Sequence, residues 1–124
     1  MTMSKHVVLV EDEVNIAEAI RFLLGRDGWR VETLANGSTA VDVIRNSAPD
    51  LVMLDVMLPG KTGFEILQEL RADPTLVDLP VLMLTARGQS RDREMAEKAG
   101  VSRFMTKPFS NTEMLDAVRE LTAT

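Results

Sequence analysis

Cysteine is absent from all 124 residues, so the chain carries no disulfide, no thiolate metal site and no cysteine nucleophile, a pattern that suits the cytoplasm. Long apolar runs are missing too: none approaches the ~18 residues that a membrane span needs. Residues Met1 to His6 lack the apolar stretch and small-residue cleavage site of a secretion signal. Positive charge is short. Fourteen Lys and Arg face 19 Asp and Glu, and the resulting net charge of −5 argues against a nucleic-acid surface. Aromatics make up only 4%, and the one histidine, His6, reads as a strand-start residue without a catalytic part. What is present is ordinary globular material, 45% hydrophobic and 27% charged, of a size for one domain. The chain is expected to be a single unit over residues 1–124, with no repeat, linker or output domain.

Its centre is Leu51 to Gly60, LVMLDVMLPG. A continuous apolar run ended by a turn signal predicts a strand buried on both faces, as in a parallel sheet covered by helices. In such sheets ligands bind beyond the carboxyl ends of the strands, which puts Asp55 on the functional edge. His6 to Val10 and Val81 to Leu84 repeat the pattern, ending at Glu11-Asp12-Glu13 and at Thr85 to Gly88. Trp29 to Leu34 alternates and predicts a weaker edge strand, and Val101 to Met105 a last short one. Helical stripes fall between them: Ile16, Ile20, Leu23 and Leu24; Ala40, Val41 and Ile44; Phe64, Leu67 and Leu70; Met95, Ala96 and Ala99; and Met114, Leu115, Val118 and Leu121. Gly100 closes the fourth helix, and Ser110 with Glu113 predicts a capping box for the fifth. The eight methionines read as core filler. Five strands alternating with five helices make an α/β fold, a three-layer doubly wound parallel sheet with the flavodoxin-like strand order as one of two common choices.

The three most apolar strands should be central, which gathers Glu11, Asp12 and Asp55. Two unit charges about 4 Å apart cost from roughly 1 kcal/mol in water to about 4 at an effective dielectric of 20, so a cation is required. Oxygen donors without His or Cys suit Mg²⁺. Asp12 and Asp55 are the expected direct ligands, Glu11 acts through a water, and the backbone carbonyl of Met57 adds an oxygen. A positioned Asp carboxylate can attack phosphorus and form an acyl phosphate. Lys107 supplies an opposing cation and Thr85 a donor hydroxyl, the groups that phosphoryl transfer needs.

With VEDE at 10–13, LDVMLPG at 54–60, LTA at 84–86 and TKPF at 106–109 in register, the chain resembles CheY-like receiver domains of two-component response regulators over its whole length. The resemblance implies strand order 2-1-3-4-5, with Asp55 as phosphoacceptor and Glu11 and Asp12 as the acidic pair for Mg²⁺. It also implies Thr85 as switch hydroxyl, Lys107 as phosphate-contacting lysine and Phe104 as switch aromatic. Such a domain takes its phosphoryl group from a sensor histidine kinase or a histidine phosphotransfer protein. It catalyses its own phosphorylation and slow dephosphorylation, and shifts the face of the fourth helix, fifth strand and fifth helix to alter binding of a downstream protein. The implied state is a cytoplasmic monomer or weak phosphorylation-dependent dimer, with no nucleic acid or membrane as partner. Phe104 has no phenolic hydroxyl, so apolar contact alone is expected to favour its inward position.

Two departures stand out. Thr62 precedes Gly63 where the family often has an acid, which touches loop geometry more than chemistry. Val101-Ser102-Arg103-Phe104 replaces the Ala-Asp-Asp-Tyr-like run of winged-helix regulators, which argues against the charged dimer interface of that class. Among other functions, a haloacid-dehalogenase-type phosphatase needs a second acid where Met57 stands. A flavodoxin-like cofactor binder needs a phosphate-cradling first loop where Glu11-Asp12-Glu13 repels one. A receiver-like module that binds partners unphosphorylated is the remaining alternative.

Overall fold

The computed structural model describes residues 5–85 and 90–123. In chain order the elements are β1 (Lys5–Val10), α1 (Val14–Arg26), β2 (Trp29–Leu34), α2 (Ala40–Ser47), β3 (Leu51–Asp55), α3 (Gly63–Ala72), β4 (Val81–Thr85), α4 (Ser90–Lys98), β5 (Arg103–Thr106) and α5 (Asn111–Thr122). All neighbouring strands pair in parallel, in the order β2-β1-β3-β4-β5. The expected doubly wound sheet is therefore the fold, with the alternating strand β2 at one edge and the three continuous apolar strands in the middle. Beyond Thr85, the expected strand end at 86–88 and the chain start at 1–4 lie outside the described residues.

Strand parity builds the two cores. Successive side chains point to opposite faces, so Val8, Val10, Val52, Leu54, Val81 and Met83 pack with α2, α3 and α4 against Ile44, Ile66 and Leu70. Val7, Leu9, Leu51, Met53, Leu82 and Leu84 pack the other way, with α1 and α5 against Ile20, Leu24, Met114 and Val118. Every residue of β3 and β4 is buried, as the unbroken apolar runs require.

Four local expectations need correction. β5 begins at Arg103 rather than Val101, because Val101 belongs to the helix stop. Its N–H donates to the Ala96 carbonyl while the Gly100 N–H donates to Glu97, with Gly100 at φ +90°. Those paired bonds close α4 around a left-handed glycine. At Ser110 only half the capping box forms: its hydroxyl accepts from the Glu113 N–H at 3.0 Å. The complete box is at Thr62, which accepts from the Glu65 N–H at 3.2 Å while its own N–H donates to Glu65 Oε1 at 3.0 Å. The methionines are divided. Met53, Met83, Met105 and Met114 are core, whereas Met57 is 74% exposed and Met95 46%. α4 thus lays Ala96 on the core and leaves Met95 in solvent.

Candidate functional site

At the carboxyl edge, β1 and β3 run side by side with Val10 opposite Leu54, so Glu11, Asp12 and Asp55 meet as the sequence predicts. One carboxylate oxygen from each lies within 4.8 Å of the others. Asp12 is exposed, while Glu11 and Asp55 are buried at 3% and 5% exposure. β4 brings Thr85 to the same edge, buried beside Asp55's neighbour Leu84. β5 ends at Thr106, and the next residue, Lys107, donates its N–H to the Thr85 carbonyl at 2.6 Å. Glu11, Asp12, Asp55, Thr85 and Lys107, singled out in the sequence, are thereby brought to one edge of the sheet.

Lys107 sits among the acids rather than across from them. Its ammonium is 2.6 Å from Glu11 Oε1 and 3.2 Å from Asp55 Oδ2. It also lies 3.5 Å from Glu13 Oε1, a contact between residues 94 apart that the sequence reading missed. The only available signal was that Glu13 follows the acidic pair directly. Glu11 is held on its second oxygen too, where Oε2 accepts from the Glu13 N–H at 3.1 Å. Burial pushes the Glu11 carboxyl up to about 7, against the opposing pull of Lys107 and the Glu13 N–H. Burial also disfavours the Lys107 ammonium, but its bonds to Glu11 and Asp55 outweigh that and hold its pKa above the ordinary lysine value. Among the described residues, three carboxylates surround the Lys107 ammonium and Asp12 stands beside two of them, so acids outnumber cations there. The donor set of hard carboxylate oxygens fits a divalent cation such as Mg²⁺.

The loop after β3 is close-fitting. Val56 donates to the Leu84 carbonyl at 2.9 Å, and Gly63 donates to Val56 at 3.0 Å. A β-carbon at Gly63 would fall inside the Asp55 carbonyl oxygen, so only glycine lets α3 start against the end of β3. Met57 lies on this loop with its side chain in solvent. Phe104 is half-buried against the α2–α4 core, and the guanidinium of Arg93 stands 5.6 Å from its ring centroid. Apolar contact is therefore not its sole support. Beside the cleft an apolar groove runs between α1 and the segment after β5, lined by Ile16, Ile20, Leu23, Pro108 and Phe109, with Glu13 and Lys107 at its polar end.

His6 stands apart from this edge, as expected. It is buried at the amino end of β1 with Nε2 3.4 Å from Glu32 Oε1, and its N–H donates to Asp50 Oδ2 at 2.8 Å. No described helix is long and apolar enough to cross a membrane.

Residues 7–119 match the response regulator receiver domain family. Among solved structures, a candidate response regulator from Chloroflexus aurantiacus J-10-fl is 30% identical, with 98% of this chain and 100% of that one covered and a TM-score of 0.93. The receiver domain of a Pseudomonas aeruginosa PAO1 sensor histidine kinase, described with a magnesium ion coordinated in its active site cleft, is 28% identical over 98% of this chain and 100% of its own, with a TM-score of 0.90. The BeF3-activated receiver domain of RstA from Klebsiella pneumoniae is 28% identical over 97% of this chain and 100% of its own, with a TM-score of 0.88. By this match and these likenesses the chain belongs to the response regulator receiver domains, the phosphoacceptor modules of two-component systems.

Proposed function

We propose that Asp55 is the phosphoacceptor, taking a phosphoryl group from a phosphohistidine of a sensor histidine kinase or histidine phosphotransfer protein. The observation that carries this reading is the buried Asp55 carboxylate with the Lys107 ammonium at 3.2 Å and the acids of Glu11 and Asp12 beside it. A carboxylate oxygen of Asp55 attacks phosphorus, the P–N bond breaks, and the imidazole leaves with the electron pair and takes a proton. Lys107 neutralises the charge on the phosphoryl oxygens, and Thr85 donates its hydroxyl to one of them. Glu11, Asp12, Asp55 and the Met57 backbone carbonyl are the residues that would hold Mg²⁺. The ion supplies charge compensation for the carboxylate and phosphoryl oxygens. Hydrolysis of the aspartyl phosphate, also within the domain, returns it slowly to the start.

The phosphoryl group adds about −1.5 to −2 charge. Drawing Thr85 and Lys107 onto it biases Phe104 and the face of α4, β5 and α5, which alters binding of a downstream protein by a population shift of about 1 to 3 kcal/mol. The groove against α1 opens beside Lys107, so an apolar surface on the donor has somewhere to rest while its histidine reaches Asp55. The module is read as one receiver unit, cytoplasmic, monomeric or weakly dimeric when phosphorylated. A thioether at Met57 cannot act as a general acid, which argues against the phosphatase alternative.

Incubation with a small phosphodonor and Mg²⁺ is expected to add one phosphoryl group by intact-mass spectrometry, and none to Asp55→Ala. Full labelling of that variant would overturn the assignment. An unlabelled wild-type protein would favour the unphosphorylated binding module instead.

A further inference from the structure

The loop that carries Met57 is shaped from outside the cleft, by a second loop that contributes no group to the chemistry. Residues 35–39, between β2 and α2, lie directly on residues 59–61. The Gly37 N–H donates to the Pro59 carbonyl at 2.9 Å, and the Gly37 carbonyl accepts from Ala40 at 3.2 Å. Neither side has room for a side chain. A β-carbon at Gly37 would lie deep inside the Lys61 carbonyl oxygen and 3.1 Å from Ile66 Cδ1. A β-carbon at Gly60 would in turn overlap Asn36 Oδ1 and stand 3.1 Å from the Ser38 nitrogen. Asn36 is itself fixed, because its Oδ1 accepts from the Ser38 N–H at 2.7 Å in a tight local turn. Gly60 holds φ at +82°, a conformation glycine adopts without strain.

On the cleft side the same loop is tied by Val56 to β4 and by Gly63 to Val56, and Leu58 is buried in the α2–α4 core. The path of Met57 is thus set between two fixed walls, and the outer wall is residues 35–39. We propose that Gly37 and Asn36 are positioning residues for the divalent cation. By bracing Pro59 to Lys61, they hold the 56–58 backbone where its carbonyl serves the ion. The inference rests on the metal reading given above. It reaches residues that touch neither metal nor phosphoryl group and stand well away from Asp55 in sequence. Groups that orient metal ligands typically cost about 10- to 100-fold in metal affinity when changed.

The test titrates Mg²⁺ alone into the full chain, followed by amide chemical shifts of residues 55–58, with thermal melts in EDTA alongside. Gly37→Ala is expected to weaken Mg²⁺ about tenfold or more, and Asn36→Ala to weaken it less but in the same direction. Val118→Ala, in the opposite core layer, serves as a control for general destabilisation; it should lower the melting temperature and leave Mg²⁺ affinity unchanged. Wild-type affinity in Gly37→Ala and Asn36→Ala overturns the proposal, as does an equal loss in Val118→Ala. Should Gly37→Ala fail to fold, Asn36→Ala decides. Asp12→Ala separates the two levels: if it binds Mg²⁺ like wild type, the metal reading itself falls, whereas loss in Asp12→Ala beside full binding in both loop variants overturns only the brace.

Discussion

Lys107 is where the chemistry of single residues is most tightly balanced. Its ammonium serves Glu11, Asp55 and Glu13 at once. A buried charge stripped of its partner is costly, so the lysine and the acids stabilise one another only as a group. On the proposed reading, a phosphoryl group on Asp55 would offer the same ammonium a stronger partner, so that one side chain would serve both resting and modified states. Away from the cleft, Asp73 illustrates a simpler balance. The Thr75 hydroxyl at 2.7 Å and Thr75 N–H at 2.9 Å, then the Arg45 guanidinium at 3.1 Å, hold its carboxyl below the usual carboxylate range. A lowered native pKa adds stability above the unfolded value and loses it as pH falls through the native one. Asp73→Asn keeps an acceptor for Thr75 but removes the charge. Urea denaturation should therefore separate it from wild type at about pH 6, and the gap should shrink as pH falls below the ordinary carboxylate range. A gap that does not change with pH would show that charge is not the cause.

At the scale of elements, the helix starts carry a measurable difference. Thr62 satisfies two backbone donors reciprocally with Glu65, while the Ser110 hydroxyl satisfies one. Thr62→Ala and Ser110→Ala each remove one hydroxyl cap and are expected to cost about 0.5–2 kcal/mol, whereas Glu65→Ala should cost more than Glu113→Ala, read from denaturant midpoints; equal losses at the two glutamates would discount the reciprocal bond. Both positions read S/T-x-x-E in the sequence, and nothing local distinguishes a full box from a half one. Strands were easier to read. β1, β3 and β4 announce themselves as central because only a doubly covered strand stays apolar at every position. Val101 misled because an apolar residue after a helix serves equally well as the start of a strand or the close of the helix. The cluster of Glu11, Asp12 and Asp55 was legible because strand ends converge by topology. The reach of Lys107 to Glu13, the clamp of Arg93 on Phe104 and the fit of Gly37 under Lys61 were not, because they depend on side-chain direction and backbone approach between distant segments.

Over the whole molecule, the two edges of the sheet differ in kind. The amino edge is laced by hydrogen bonds: the His6 backbone N–H to Asp50, Val81 with Ser102 in both directions, and Arg71, whose guanidinium donates to the Gly100 carbonyl at 2.7 Å and the Leu79 carbonyl at 2.8 Å. Among the described residues, the carboxyl edge gathers Glu11, Asp12, Glu13 and Asp55 about Lys107. Native-state hydrogen exchange should report this difference, with the Val81 and Ser102 amides among the last to exchange. Arg71→Met should speed exchange at those two sites while leaving β1 protected; unchanged exchange there would deny Arg71 that role. A folding fan gives the consequence of that lacing. Its rivet lies at the rim where Arg71 and Ser102 sit, and on the function proposed for Asp55 a change of charge there would move rib tips at the far rim while the hub stays still.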